Sequence, residues 1–484
     1  MNKAFFILLA ILSTTFVFGQ KKAAPNNNGI KDEAIADLQS KHNDYKTIAL
    51  KIWDYAEVGY KEYKSSALHE QTLRDAGFSV DTAIAGIPTA FVATYGSGKP
   101  VIGILAEYDA LPGIMQTASP EREIPAGKTA GHACGHHLFG TASVGAAIEI
   151  KKLMAEGKLK GTIKLFGCPA EEGGSGKVYL VRAGLFNDVD VVIHWHPADA
   201  NTVTMTSALA NISAKFRFHG LSAHAAAAPD HGRSALDAVE SMDYMVNMMR
   251  EHIPQETRIH YVITNGGKAP NVVPDFAEVY YYVRHPKKDE VKRIFDWVVK
   301  AGQGAALGTG TTMDYEIIGG THDLLLNKTL ADVMQKDLEK AGGVSYTPEE
   351  IEFGKKIQLS YTFAKFPPIS SSDSIQPMKM VNDAGGGSTD VGDVSYTVPT
   401  VGMTAATWVP GTPAHSWQAV AAGGTEIGIK GMLVAAKTMA MTAIDLYTNQ
   451  SIIDKAKNEF KESKGDYQYK ALLGERKPAL NYRD

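Results

Sequence analysis

Between residues 31 and 76, apolar positions recur at helical spacing (Ile35, Leu38, Ile48, Ile52, Tyr55) and Gly77 supplies a stop signal, so this stretch is expected to be helical. Short apolar segments follow at 89–95, 101–106, 163–167 and 189–193, and helical patterns separate several of them, notably at 138–156. Strands alternating with helices imply an α/β fold, a mostly parallel sheet with helices on both faces. In such sheets functional side chains lie in loops at the carboxyl ends of the strands. The chemistry is expected there.

Near residue 206 the pattern changes. At 211–218 it alternates strictly, with Ile212, Ala214, Phe216 and Phe218 on one side and Ser213, Lys215 and Arg217 on the other, as in a half-buried strand. A helix at 234–250, strands at 258–264 and 277–284, a helix at 287–305 and a strand at 312–318 complete the order β-α-β-β-α-β, the ferredoxin-like split unit. A compact α+β module is thus expected to interrupt the α/β domain, which resumes with a helix at 328–340. Residues 343–397 are rich in Pro, Ser and Gly and read as long functional loops. A strand at 400–404 and a helix at 420–447 close the domain. The expected layout is a signal peptide at 1–19, a catalytic domain in two parts at 30–205 and 321–450, the inserted module at 206–320, and a polar extension at 451–484. No internal repeat is present, and the extension carries no evident role.

A chain of 484 residues exceeds what one core supports, which agrees with two domains. The net charge of −4, with no long basic run, sets nucleic-acid binding aside. Lys3 followed by the apolar run 4–12 and small residues to Gly19 fits a cleavable signal peptide, an uncleaved anchor being the alternative. Of the later segments, 432–446 comes nearest to a membrane span and is broken by Lys437 and Asp445, so no stable span is expected. The mature protein is expected to be exported, periplasmic or secreted. In an oxidising compartment its two cysteines, Cys134 and Cys168, could pair.

Four segments concentrate metal-capable side chains: Gly131-His132-Ala133-Cys134-Gly135-His136-His137, Pro169-Ala170-Glu171-Glu172-Gly173-Gly174, His194-Trp195-His196-Pro197 and Pro413-Ala414-His415-Ser416-Trp417. Cys and His two residues apart can converge on one ion. Adjacent carboxylates at a strand end repel unless a cation neutralises one of them; a solvated acidic turn is the bland alternative. Imidazole, thiolate and carboxylate donors together suit zinc and its transition-metal neighbours.

These segments, with Gly220-Leu221-Ser222-Ala223-His224-Ala225, resemble the aminoacylase and indole-acetyl-amino-acid hydrolase family of two-metal peptidases. Ser388-Thr389-Asp390-Val391-Gly392-Asp393-Val394-Ser395 and His415-Ser416-Trp417-Gln418 are most like its p-aminobenzoyl-glutamate hydrolase branch. The resemblance spans about 33–447 and implies a zinc-exopeptidase-like catalytic domain interrupted by a lid and dimerisation domain, with homodimerisation through that lid. It implies two divalent ions, zinc or manganese, held by Cys134, His136, Glu172, His196 and His415. It also implies Glu171 as general base and His224, on the lid, as the group reaching the scissile carbonyl in the partner subunit, assisted by Asn271. Asp109 matches a position that supports a ligand. His137 departs from the pattern, since many relatives carry Asp there. The implied activity is a metal-dependent amidohydrolase acting on a small N-acyl amino acid of the p-aminobenzoyl-glutamate type. A dipeptidase or carboxypeptidase with the same centre is the alternative within enzymes, and a non-catalytic exported binding protein the alternative outside them.

Overall fold

The computed structural model describes residues 27–203, 205–363, 365–378 and 386–484. The expected signal peptide at 1–19 lies outside them. Seven strands form the main sheet, in spatial order Ser79–Thr82, Phe91–Gly96, Thr162–Gly167, Val101–Ala106, Val191–Ala198, Thr400–Ala406 and Thr202–Val203. The four strands from Thr162–Gly167 to Thr400–Ala406 are parallel, and the strands at both edges run antiparallel. The fold is α/β, as expected, with a mixed rather than wholly parallel sheet. Val101–Ala106 is buried at every position, which explains its continuous apolar run.

Helix His136–Ala155 packs against this sheet and against helix Glu426–Thr448, and both are buried almost all round. The second is long and apolar enough to cross a membrane, yet 89% of its apolar window is buried inside the protein. Its hydrophobicity is that of a core helix.

A second, four-stranded antiparallel sheet has the order Arg258–Asn265, Phe276–His285, Ala210–His219, Thr312–Thr321. Helices Ala235–Met249 and Lys288–Thr309 pack on it around a separate core that includes Phe216, Phe218 and Tyr281. Chain order and pairing are those of the ferredoxin-like unit.

Three expectations need correction. The stretch 31–76 is three helices, Asn28–Ser40, His42–Tyr55 and Tyr63–Asp75, the second ended by Ala56 in the left-handed conformation. The helix expected at 420–447 is two, Trp417–Gly423 and Glu426–Thr448, because Thr425 caps a new start by accepting from the Ile427 N–H. The region 343–397 contains a regular helix, Pro348–Leu359, and the extension begins with another, Gln450–Lys464.

Candidate metal centre

Loops at the carboxyl ends of the parallel strands bring the metal-capable side chains together. Val101–Ala106 leads into Glu107 and Asp109, Thr162–Gly167 leads into Glu171 and Glu172, and Val191–Ala198 itself carries His196. Cys134 precedes the helix that begins at His136. Gly135 links the two with φ +76, and a Cβ there would lie 2.7 Å from Pro197 Cβ, so only glycine lets this turn close onto the strand of His196. His415 reaches the same place from the far end of the chain, its backbone N–H donating to the Ala133 carbonyl at 3.0 Å.

Three sets of ligand atoms each lie within 4.8 Å of one another: Cys134, His136 and His196; Cys134, Glu172 and His415; and Glu107, His136 and Glu171. Cys134 Sγ is 3.4 Å from His196 Nε2, and His415 Nε2 is 3.1 Å from Glu172 Oε1. Two histidines are oriented by their other ring nitrogen. His136 Nδ1–H donates to Asp109 Oδ1 at 2.9 Å, and His196 Nδ1–H donates to the Pro197 carbonyl at 2.7 Å. Each therefore presents an Nε2 lone pair to the cluster. Asp109 Oδ2 also accepts from the Glu172 N–H at 3.0 Å, so one carboxylate fixes two donors.

The electrostatics carry the same message. Burial pushes the Cys134 thiol up and the His196 imidazole down. Burial, then the Glu107 and Glu172 carboxylates, hold Glu171 well above the usual range. Burial also opposes the charge on Glu172, but the hydrogen bond from His415 and the charge of His136 bring it below the ordinary value. Glu107 Oε2 and His136 Nε2 face each other across 3.1 Å, both buried and neither in a hydrogen bond among the described residues. A cluster of desolvated thiol, imidazole and carboxylates with its lone pairs aimed inward is stabilised by cations at its centre. The donor set fits.

The structure thus gathers Cys134, His136, Glu171, Glu172, His196 and His415, with Asp109 behind them. It does not bring His224 or Asn271 to this chain's own cluster. Both sit on loops of the second sheet, where the Ala225 N–H donates to the Asn271 carbonyl at 3.0 Å. His224 is exposed, and its Nδ1 accepts from the Ala226 and Ala227 N–H groups at 3.2 and 3.1 Å, which leaves the proton on Nε2 facing outward. Cys134 and Cys168 are both buried and free, so the disulfide alternative falls. His132 and His137 are packing residues: their Nε2 atoms face the Ile52 and Gly423 carbonyls, each at 3.0 Å, and neither belongs to a donor set. The departure at His137 leaves the cluster intact.

Sequence reasoning missed a buried chain of charge beside the site. Lys177 Nζ lies 2.6 Å from Glu107 Oε1 and 2.7 Å from Asp390 Oδ1. Burial pushes Asp390 up to about 6, while Asp390 and Glu107 outweigh burial and hold Lys177 above its ordinary value. Asp390 stood inside a motif already singled out and Glu107 two residues from Asp109, though neither was given this role; Lys177 had no such marker.

A cavity of about 700 Å³ opens over the cluster, walled on one side by Cys134, Glu171, Glu172, His196 and His415 and on the other by Asn211, Ser213, Tyr282 and Arg284 of the second sheet. Residues 209–305 match the family model of the M20 peptidase dimerisation domain. Over 457 residues, 89% of this chain and 94% of the relative, the sequence is 40% identical to a subunit of the p-aminobenzoyl-glutamate hydrolase of Escherichia coli (strain K12). It is also 30% identical over 428 residues, 85% of this chain and 87% of the relative, to the Xaa-Arg dipeptidase of Mus musculus. Among solved structures, a dinuclear metal-binding peptidase of the M20 family from Bacillus subtilis superposes with a TM-score of 0.58 at 17% identity, covering 84% of this chain and 99% of that one. A relative matched at 40% identity along nearly its whole length, over a fold and a donor cluster that agree with it, makes this chain a hydrolase of the M20 family of metal-dependent peptidases and amidohydrolases.

Proposed function

We propose that the protein cleaves the amide bond of a small N-acyl amino acid, with p-aminobenzoyl-glutamate as the nearest model substrate, at a centre of two divalent cations. The observation that carries this reading is the meeting of Cys134, His136, Glu172, His196 and His415 beneath one cavity, with Glu171 beside them. Two donor sets that share Cys134 support two ions, and soft thiolate with imidazole favours zinc, manganese being the alternative. The 40% identical relative named for p-aminobenzoyl-glutamate supports the substrate.

When bound, the cations supply Lewis-acid activation of the scissile carbonyl and of the attacking water. Glu171 takes the water's proton and passes it to the leaving amine. Burial and the neighbouring carboxylates raise its affinity for a proton, and cations at the centre would offset that, leaving a carboxylate able to accept a proton and return it to the amine. Glu107, already paired with Lys177, adds the negative charge that keeps Glu171 basic. His224, with its proton on Nε2, donates to the oxyanion developing in the partner subunit's site, and Asn271 steadies its loop. The second sheet serves as lid and dimerisation surface, and the apolar leader directs export.

Chelation should abolish cleavage of p-aminobenzoyl-glutamate, and zinc or manganese should restore it, with p-aminobenzoate and glutamate detected by mass spectrometry. Glu171→Gln should retain metal on elemental analysis while turnover falls at least about a thousandfold. Metal-loaded protein that binds the amide but never cleaves it would establish a binding protein instead.

A further inference from the structure

The chain after helix Gln450–Lys464 runs along the second sheet and back to the loops of the metal cluster, where Arg483 reaches the cavity. Tyr469 Oη donates to Asp393 at 2.7 Å. Arg476 then grips the second sheet, Nε donating to Glu316 at 3.1 Å and Nη1 to the Ile318 carbonyl at 2.9 Å. The strap returns to the catalytic side, where Arg182 donates to the Arg476 carbonyl at 2.7 Å and Asp484 pairs with Lys61 at 2.7 Å. At its tip, Tyr482 Oη and Arg483 Nη2 both donate to the Glu172 carbonyl, at 3.0 and 2.6 Å. Arg483 lines the cavity.

Arg284 lines the same cavity from the second sheet, and the two arginines are presented alike. Arg483 Cζ lies 4.7 Å from the Tyr482 ring centroid and Arg284 Cζ 5.2 Å from that of Tyr282. In both, Nε is buried without a hydrogen-bond partner, and neither guanidinium is ion-paired among the described residues. Of the cavity's carboxylates, Asp390 is engaged with Lys177 and Glu172 with His415, and Glu171 belongs to the metal cluster. A half-buried guanidinium with an idle N–H edge is costly unless an acceptor arrives, and its planar fork matches a carboxylate.

We propose that Arg483, delivered by the carboxyl-terminal strap, binds the side-chain carboxylate of the substrate and Arg284 its α-carboxylate, so that the cavity selects N-acyl amino acids whose amino-acid part is itself acidic. This deepens the amidohydrolase reading and rests on it for the position of the scissile bond. Arg483 is then a specificity residue, and the strap is part of the active site.

The test uses full-length, metal-loaded protein, with binding of glutamate and glutamine followed by calorimetry and cleavage of N-benzoyl-glutamate and N-benzoyl-glutamine followed in parallel. Arg483→Ala should weaken glutamate at least tenfold and lower the acidic-to-neutral ratio of kcat/KM at least tenfold, with Arg483→Lys in between. Arg483→Gln, which keeps an N–H for the Glu172 carbonyl but no charge, guards against a folding defect. Equal losses for glutamate and glutamine, an unchanged ratio, or wild-type protein that binds no glutamate would each overturn the proposal. Arg483-dependent glutamate binding without cleavage of either amide would sustain it and sink the hydrolase reading. Cleavage by Arg483→Gln with the wild-type ratio would do the reverse.

Discussion

Each oriented histidine at the centre has one ring nitrogen committed to the protein, and that commitment decides what the other can do. Asp109 is the plainest case, since it accepts from His136 Nδ1 and from the Glu172 N–H with its two oxygens. Asp109→Asn keeps the shape but removes the anion that holds the His136 tautomer. Metal retention against a competing chelator should weaken about 10- to 100-fold, and unchanged retention would show that His136 is held by something else. The donors were legible because they stand in clusters, Cys134 two residues from His136 and Glu171 next to Glu172. Lys177 was not. A lysine in a short helix reads as a solvated side chain, and its burial depends on Asp390, 213 residues away in sequence. Glu107 stood beside Asp109, but its role could not be read there, because its significance lies in the ammonium that reaches it.

Among the elements, legibility followed burial. Strands buried on one face or both announce themselves by alternation or by an apolar run, as at 211–218 and 101–106. Helix Pro348–Leu359 does not, because only Gly354, Ile357 and Gln358 are buried on it. Its signal is at the cap, where Thr347 and Glu350 form a capping box with Pro348 at the first turn. Helix His136–Ala155 has the opposite character: it is so deeply packed that Glu149 is buried with both carboxylate oxygens lacking a hydrogen-bond partner. Burial pushes this carboxyl from 4.5 up to about 7, while the Lys152 ammonium 3.9 Å away partly opposes the shift. Since the folded state holds the proton more tightly, the group's contribution to stability is intact below pH 4.5 and is lost as pH rises through about 7. Glu149→Gln mimics the neutral acid, so its unfolding free energy should match wild type near pH 4.5 and exceed it by about 1–3 kcal/mol at pH 8.5. Denaturant melts at the two pH values give the comparison, and a pH-independent difference would mean that Glu149 is ionised throughout.

At the scale of the molecule, the second sheet is complete as a core and incomplete as a surface. Strand Arg258–Asn265 lies at its edge, and Val262 and Ile263 are 56% and 40% exposed there. An apolar open edge invites another strand or a covering surface, and the dimerisation-domain match includes this strand. His224 is exposed on the same module with a free Nε2–H, outside the cavity of its own chain. The proposed homodimer would account for both, because a second copy that buries the edge can carry His224 to the neighbouring site. Complementation separates this arrangement from one in which His224 folds back onto its own subunit. Under the proposed mechanism, Glu171→Gln and His224→Ala should each inactivate a homodimer in either case. If His224 acts across the interface, a mixed dimer has one site with both defects and one with neither, so random co-assembly of the two variants should recover about a quarter of wild-type activity. If it acts within its own chain, every site in the mixed dimer carries one defect, and co-expression recovers nothing.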